Sequence, residues 1–443
     1  MENLFNEFHA ADAATWKARL EKDLKGITFR ELSVIDRNGI TIHPFYTSED
    51  MAPAYQPLSK NAGWEICARI PVTDARVGNR MALNELNNGA TGIFFDINDN
   101  TDIPVLLKDV ELHYIYSCFR VGPDQPGILK QLKDYLAGKG YTFPAINTFL
   151  YYDHIASYLQ TDNQEILAAG RKWSLALFKE TGVIGIDGGI FLNAGAATTY
   201  ELACSLALVN EYLHALYEDS LLDDLRKLHI TLSTDTAFFE QISKLRAFRK
   251  LLDLLCDQYN CSPGIHLHAE TGQTYQSPFD SYSNLLRSTV AGMAAVIGGC
   301  NSLYIHPFNE AVLPGDDFGR RMSRNQQLIF REESYLDKVG DAAAGSYYIG
   351  TLTDQLADKA WELFKEIESE GGLLKAFEKG IVTGNIRQQA DRLISEYKEG
   401  KKVLVGVNKF PAPGDAPVYT ATEPVTDDKV IRPLSIAEAI LQP

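Results

Sequence analysis

Between residues 64 and 331, short apolar runs of strand length alternate with longer stretches in which apolar residues recur every three or four positions. This is the pattern of βα units repeated around a parallel sheet. Eight runs read as strands: 64–70, 91–97, 111–119, 145–151, 183–187, 229–235, 264–270 and 301–306. After the sixth, Phe238, Phe239, Ile242, Leu245, Phe248, Leu252 and Leu255 form one apolar stripe on a helix, which should cover the sheet. Eight strands with helices between them predict an α/β protein. They fit a closed (β/α)8 barrel of the TIM type or an open doubly wound sheet, and the barrel is the working fold.

The same pattern divides the chain into an N-terminal arm (1–63), the barrel (64–335), a C-terminal helical extension (336–410) and a linker or wrapping tail (411–443). In the arm, 11–26 has the spacing of an amphipathic helix and 53–60 reads as an irregular connector. Beyond the barrel, helices are expected over 352–370, 373–379 and 386–399, followed by a short apolar run, 403–407. A chain of 443 residues, 45% hydrophobic and 23% charged, suits one large core with additions at both ends.

Charge narrows the partners. A net charge of −16 without any Lys/Arg run repels nucleic-acid phosphates and anionic membrane surfaces, so neither partner is expected. Residues 1–10 lack the basic-then-apolar order of a signal peptide, and no later apolar stretch is long enough to span a bilayer. A cytoplasmic protein is expected. Cys67, Cys118, Cys204, Cys256, Cys261 and Cys300 are scattered rather than arrayed as a disulfide framework, and read as reduced, packed thiols.

In a parallel barrel, alternate residues face the axis, and reactive groups collect at the carboxyl ends of the strands. The sixth strand should point Thr231, Ser233 and Asp235 inward, the seventh His266, His268 and Glu270, and the eighth Ser302, Tyr304 and His306. Arg69, Asp96 and Asp187 should reach the mouth from the first, second and fifth strands. The expected rim is acidic: Asp96, Asp187, Asp235 and Glu270 against Arg69, with His268 and His306. The plain alternative is that these residues cap helices or bond one another. His266-Leu267-His268 puts two imidazoles on one strand face, the sharpest local metal signal, to which His306 and Asp235 could add ligands. His229, at the start of its strand, would lie at the wrong end. No phosphate-binding glycine loop, GxSxG elbow or Ser-His-Asp order is present.

From Phe238 to Phe410 the sequence carries a series of specific blocks: Phe238-Phe239-Glu240 leading to Lys244-Leu245-Arg246-Ala247; Asp280, Tyr282, Asn284 and Arg287; and Asn309-Glu310-Ala311. Arg324-Asn325-Gln326-Gln327-Leu328 and Glu332-Glu333-Ser334 follow, then Gly345-Ser346-Tyr347-Tyr348, Trp361, Glu368, Gly371-Gly372 and Gly406-Val407-Asn408-Lys409. In order and spacing these resemble the adenosylcobalamin-dependent acyl-CoA mutases, the methylmalonyl-CoA mutase family; over the first four strands the likeness is loose. The resemblance implies the closed barrel. In the family's catalytic chain the cofactor supplies an adenosyl radical while the barrel holds and seals the thioester, and a separate carboxyl-terminal domain brings a cobalt-ligating histidine in a DxHxxG motif. No DxHxxG occurs here, and no cobalamin-binding domain is expected.

Other departures point the same way. Where catalytic chains carry a tyrosine block before the first strand, this chain has Ala54-Tyr55-Gln56-Pro57, and a histidine after the fifth strand gives way to Gly188-Gly189-Ile190. A substrate-contacting arginine of the family aligns with His266, while His268 and Glu310 keep the family residue type. These three are candidates for a degenerate pocket, and Arg69, Asp96, Asp187, Asp235, Glu270 and His306 for a residual substrate-binding mouth. Catalytic barrels of the family keep an axial channel lined by small hydroxylated side chains for the pantetheine arm. Here His113-Tyr114-Ile115-Tyr116 and Phe149-Leu150-Tyr151 would fill it.

The resemblance therefore implies a small, non-catalytic subunit that binds no cofactor or metal. It would form a heterodimer with a large catalytic mutase subunit that binds adenosylcobalamin, and would self-associate when alone. The arm, especially 11–26, would reach across to that partner. Two other functions remain: an active substrate-binding mutase subunit whose cobalamin domain is separate, and a metal-dependent barrel hydrolase resting on the histidine pair.

Overall fold

The computed structural model describes residues 12–51, 63–123, 125–411 and 429–441. The block Ala54-Tyr55-Gln56-Pro57, the connector 53–60 and most of the tail lie outside the described residues.

A short antiparallel hairpin, β1 (Val34–Ile35) and β2 (Thr41–Ile42), precedes the main sheet. Eight parallel strands follow: β3 (Glu65–Pro71), β4 (Gly92–Asp96), β5 (Tyr116–Arg120), β6 (Thr148–Tyr151), β7 (Val183–Asp187), β8 (Lys227–Thr234), β9 (Gly264–Thr271) and β10 (Ser302–Tyr304). Their order is β6-β5-β4-β3-β10-β9-β8-β7, so the first and last barrel strands pair. The sheet curls into the expected barrel, with one seam. No ladder joins β6 to β7. Instead the Asp187 N–H donates to the Asp153 carboxylate (2.8 Å), and the Tyr151 ring fills the space where a Cβ on Gly185 would stand, 1.9 Å from its nearest ring atom.

The alternation in the sequence explains the layering. Ile66, Ile70, Ile93, Phe95, Phe119, Leu150, Ile186, Ile230, Leu232, Leu267 and Leu303 point away from the axis and are fully buried under the helices. The helix after β8, Phe238–Gln258, buries its stripe from Ile242 to Leu255, whereas Phe239 stays exposed and packs edgewise on Tyr348. The C-terminal helices Tyr347–Ser369, Leu373–Glu378 and Ile381–Lys398 lie within a few residues of their expected positions. Ser346 caps the first of them after a turn in which Gly345 takes φ +82°. The arm's helix is shorter than expected, Ala13–Asp23, and Asp12 caps it.

Most strand boundaries shift by a residue or more from the expected ones, and at three of them the local cause is visible. β5 begins at Tyr116, because 111–114 form a turn closed by Tyr114 N–H to Glu111 O (3.1 Å), and Tyr114 is 82% exposed. The start expected for β6 is the 3-10 turn Phe143–Ala145, built around Pro144. β10 stops at Tyr304, since the His306 N–H donates to Thr271 Oγ1 (2.9 Å) rather than extending the ladder. Among the described residues no helix is long and apolar enough to cross a membrane.

Several of the specific blocks hold the wall together. Lys244 donates to Glu201 (2.8 Å) and to the Ser233 carbonyl, and both charged side chains are fully buried. Arg246 grips Asp341 with two bonds (2.7 and 3.0 Å). Arg324 pairs with Glu85, Gln326 bridges to Thr289 Oγ1 (2.7 Å) and Leu285 O (2.9 Å), and Trp64 Nε1 donates to Gln327 Oε1 (3.2 Å). Asn284 ties Ser277 O to Phe308 O, and Asn408 ties Tyr397 O to Lys402 O. These side chains satisfy buried polar groups between helices and loops, which accounts for their residue types without any chemistry.

Candidate functional site

The barrel axis is filled by rings. Tyr116, Phe149 and Tyr151 project inward from β5 and β6 and meet His229 and His266 from the opposite wall. Tyr116 stacks on His266 (centroids 4.8 Å, 5° apart), and its hydroxyl lies 2.6 Å from His229 Nε2. Phe94 packs on His268 at 5.4 Å. Tyr116, Phe94, Phe149 and Tyr151, with Cys67, Cys118 and Tyr304, are buried in one cluster. Expected ring filling is therefore present, although it comes from Tyr116, Phe149 and Tyr151; His113 and Tyr114 precede the strand, and Leu150 faces the helices.

The histidine pair sits within this packing. His266 Nε2 and His268 Nδ1 approach the same Ser302 Oγ, at 2.8 and 2.7 Å. His266 belongs to the amino-terminal half of the interior rather than to a rim. His229 faces the interior too, because β8 begins at Lys227 and so carries it inside the barrel instead of leaving it at the far end. Burial pushes the imidazolium forms of His229 and His266 well below the usual histidine range, so both rings are neutral. Among the described residues no group of three or more His, Cys, Asp or Glu side chains is arranged to hold a metal ion.

Above the rings lies a mouth crossed by charge pairs. Arg69 donates to Asp96 through Nε (2.7 Å) and lies 3.5 Å from Glu270. Arg120 bonds the other Asp96 oxygen (2.8 Å) and approaches Asp187 at 3.9 Å. His306 stands between Glu270 (3.2 Å) and Glu310 (2.8 Å), and Gln273 touches both His306 and Glu310. Both guanidinium groups also lie over the Phe94 ring, which joins the mouth to the filled axis.

Burial alone would lower the pKa of His306, but its hydrogen bonds to Glu270 and Glu310 outweigh that and raise it to about 9. Burial opposes ionisation of Glu270 as well, yet Arg69, His268 and His306 hold it well below the usual carboxylate range. Asp187 goes the other way, to about 7, through burial and then the repulsion of Glu270 and Asp153.

Of the residues expected at the rim, Arg69, Asp96, Asp187, Glu270 and His306 converge, and His268 lies just beneath them; the pocket candidate Glu310 joins them through His306. Asp235 does not join them. β8 ends at Thr234, so Asp235 is already in the following turn, where its carboxylate accepts the Ala237 N–H (2.8 Å). Arg120, Gln273 and the seam residue Asp153 went unnoticed in the sequence. Arg120 shared the inward parity of Tyr116 and Cys118, and an expected strand end one residue too early hid it. With Arg120 and a protonated His306 present, three cations face four carboxylates, and the mouth is an ion-pair network rather than an acidic ring.

A (β/α)8 barrel with a ring-filled axis and a charge-paired mouth defines the class of protein, an α/β barrel whose interior is built like a core. The sequence model for methylmalonyl-CoA mutase matches residues 132–432, and the chain therefore belongs to the methylmalonyl-CoA mutase family, a family of isomerases. It is similar to the methylmalonyl-CoA mutase small subunit of Porphyromonas gingivalis, 29% identical over 93% of this chain and 71% of that protein. It is also similar to the small subunit of Streptomyces virginiae, 28% identical over 95% of this chain and 74% of that protein. The methylmalonyl-CoA mutase of Rhizobium meliloti is 28% identical over 91% of this chain and 64% of its own length.

Proposed function

We propose that this chain is the small, non-catalytic subunit of an adenosylcobalamin-dependent methylmalonyl-CoA mutase, a cytoplasmic heterodimer. Its large subunit would bind the cofactor and interconvert methylmalonyl-CoA and succinyl-CoA. The observation that carries this reading is the barrel axis: Tyr116, Phe149 and Tyr151, none more than 4% exposed, occupy the path that an axial pantetheine arm would need. The mouth supports it, because Arg69, Arg120 and His306 are all engaged by the protein's own carboxylates. The residues present do not fit a cobalt centre: both ring nitrogens of His306 already face carboxylates, and the sequence lacks DxHxxG.

The arm is the proposed contact with the large subunit. Its described part exposes Ile27, Val34, Ile35 and Phe45, with Val34 and Ile35 at 65% and 72%, a concentration of apolar surface suited to a protein partner. In this reading the arm, barrel, helical extension and tail keep the divisions at 63/64, 335/336 and 410/411. The test is an optical titration with adenosylcobalamin of the chain alone and after co-expression with a large subunit carrying DxHxxG. No saturable change is expected for the chain alone, and co-purification is expected to disappear when residues 1–63 are deleted. A saturable shift to histidine-ligated cofactor in the isolated chain would overturn the proposal.

A further inference from the structure

Because β3 pairs with β10, the helices that follow them, Ala75–Asn87 and Asp317–Leu328, stand side by side on the outside of the barrel. Between them lies a cleft of ≈580 Å³ that shares no residue with the mouth. Helical spacing explains its lining. Arg80 and Asn84 fall on one face of the first helix, with Asn88 at its C-terminal cap, and Asp317, Arg321 and Arg324 on one face of the second, with Arg320 beside them. In a chain of net charge −16 this gathers four guanidinium groups into one depression.

Two of the four are neutralised within the protein. Arg324 pairs with the buried Glu85, and Arg320 pairs with Asp317 while also donating to the Gly315 carbonyl. The other two are not. Arg80 has no ion pair or hydrogen bond among the described residues, and Arg321 has no carboxylate partner there. Arg321 instead lies over the Phe318 ring, 5.3 Å from its centroid, and Phe318 is itself 42% exposed. The cleft thus carries an excess of two positive charges and has a partly exposed aromatic ring beside one of them, which also meets Phe308 edge-to-face. Guanidinium groups present paired N–H donors that match phosphoryl oxygens.

We infer that this cleft binds a phosphoryl group of a small-molecule ligand, with Arg80 and Arg321 as its cationic partners and Phe318 as a surface against which a planar ring can lie. The inference does not depend on the mutase reading. Both arginines are exposed, so their field is screened by salt and binding should weaken as ionic strength rises.

The experiment is calorimetric titration of the chain with inorganic pyrophosphate and, separately, with ADP at low ionic strength. The variants are the double replacement Arg80→Gln/Arg321→Gln and, as a control outside the cleft lining, Arg76→Gln. Saturable binding of pyrophosphate or ADP is expected, weakened about tenfold or more in the double variant and unchanged in the control. Equal affinity for the two ligands identifies a site for the phosphoryl group alone. Tighter ADP binding that Phe318→Ala abolishes identifies a nucleotide site. No saturable binding of either ligand, or equal binding by the double variant with its circular dichroism unchanged, would overturn the inference.

Discussion

Behind the barrel wall Lys244 and Glu201 meet as a single pair with neither side chain exposed, whereas at the mouth Arg69, Arg120 and His306 share four carboxylates whose side chains are 13% to 31% exposed. Among the described residues the wall pair has no alternative ion-pair partner. Its carboxyl is raised to about 7 by burial even with Lys244 pulling it down. At the mouth each loss can be absorbed by a neighbour or by water. The difference separates two meanings of a charged residue inside a barrel: one fixes the packing of two helices, and the other sets how a group of charges responds to protons.

The sharpest way to break this comparison is Lys244→Met. Removing one member of a buried pair strands the other, and a loss of about 3–5 kcal/mol is expected in urea denaturation. Adding Glu201→Leu should recover most of that loss, because the uncompensated charge goes too. If the single variant costs no more than a mouth variant does, the distinction fails. Phe149→Ala is expected to cost about 3 kcal/mol or slightly more, through the cavity left in the filled axis. Arg69→Gln should cost less, about 1–3 kcal/mol, since Arg120 still faces Asp96 and His306 still faces Glu270.

The mouth should reveal itself through pH. His306 has a folded pKa of about 9 against an ordinary 6.5, so its stabilisation is complete below about pH 6.5 and is lost as pH rises through 9. Asp187 acts in the same direction, because ionising a carboxyl raised from 3.8 to about 7 costs stability as pH climbs through that range. The melting temperature should therefore fall between pH 6.5 and 9, and His306→Gln should flatten that slope. An unchanged slope would remove His306 from the network. The smallest effect is expected for Asp235→Asn, within about 0.5 kcal/mol, since it keeps an acceptor for the turn and lies outside the mouth.

The amino-acid sequence by itself determined the eight strands, the inward or outward direction of their residues and the filling of the axis, because a period of two is a property of each strand alone. Phe94, Tyr116 and His268 face the axis wherever their strands begin. Which inward residues reach the mouth was decided only by tertiary structure, since depth depends on how strands are staggered around the barrel and where each ladder stops. His266 thus lies deep on the same strand that raises Glu270 to the rim, and Asp235 is lost to a turn one residue past its strand. Arg120 finds Asp96 because β4 and β5 are neighbours, and Lys244 finds Glu201 across two helices distant in sequence. The arginine cleft exists only because the first and last βα units close against each other. Periodicity is local and can be read along the chain; stagger, pairing across elements and closure are set by packing the whole barrel at once.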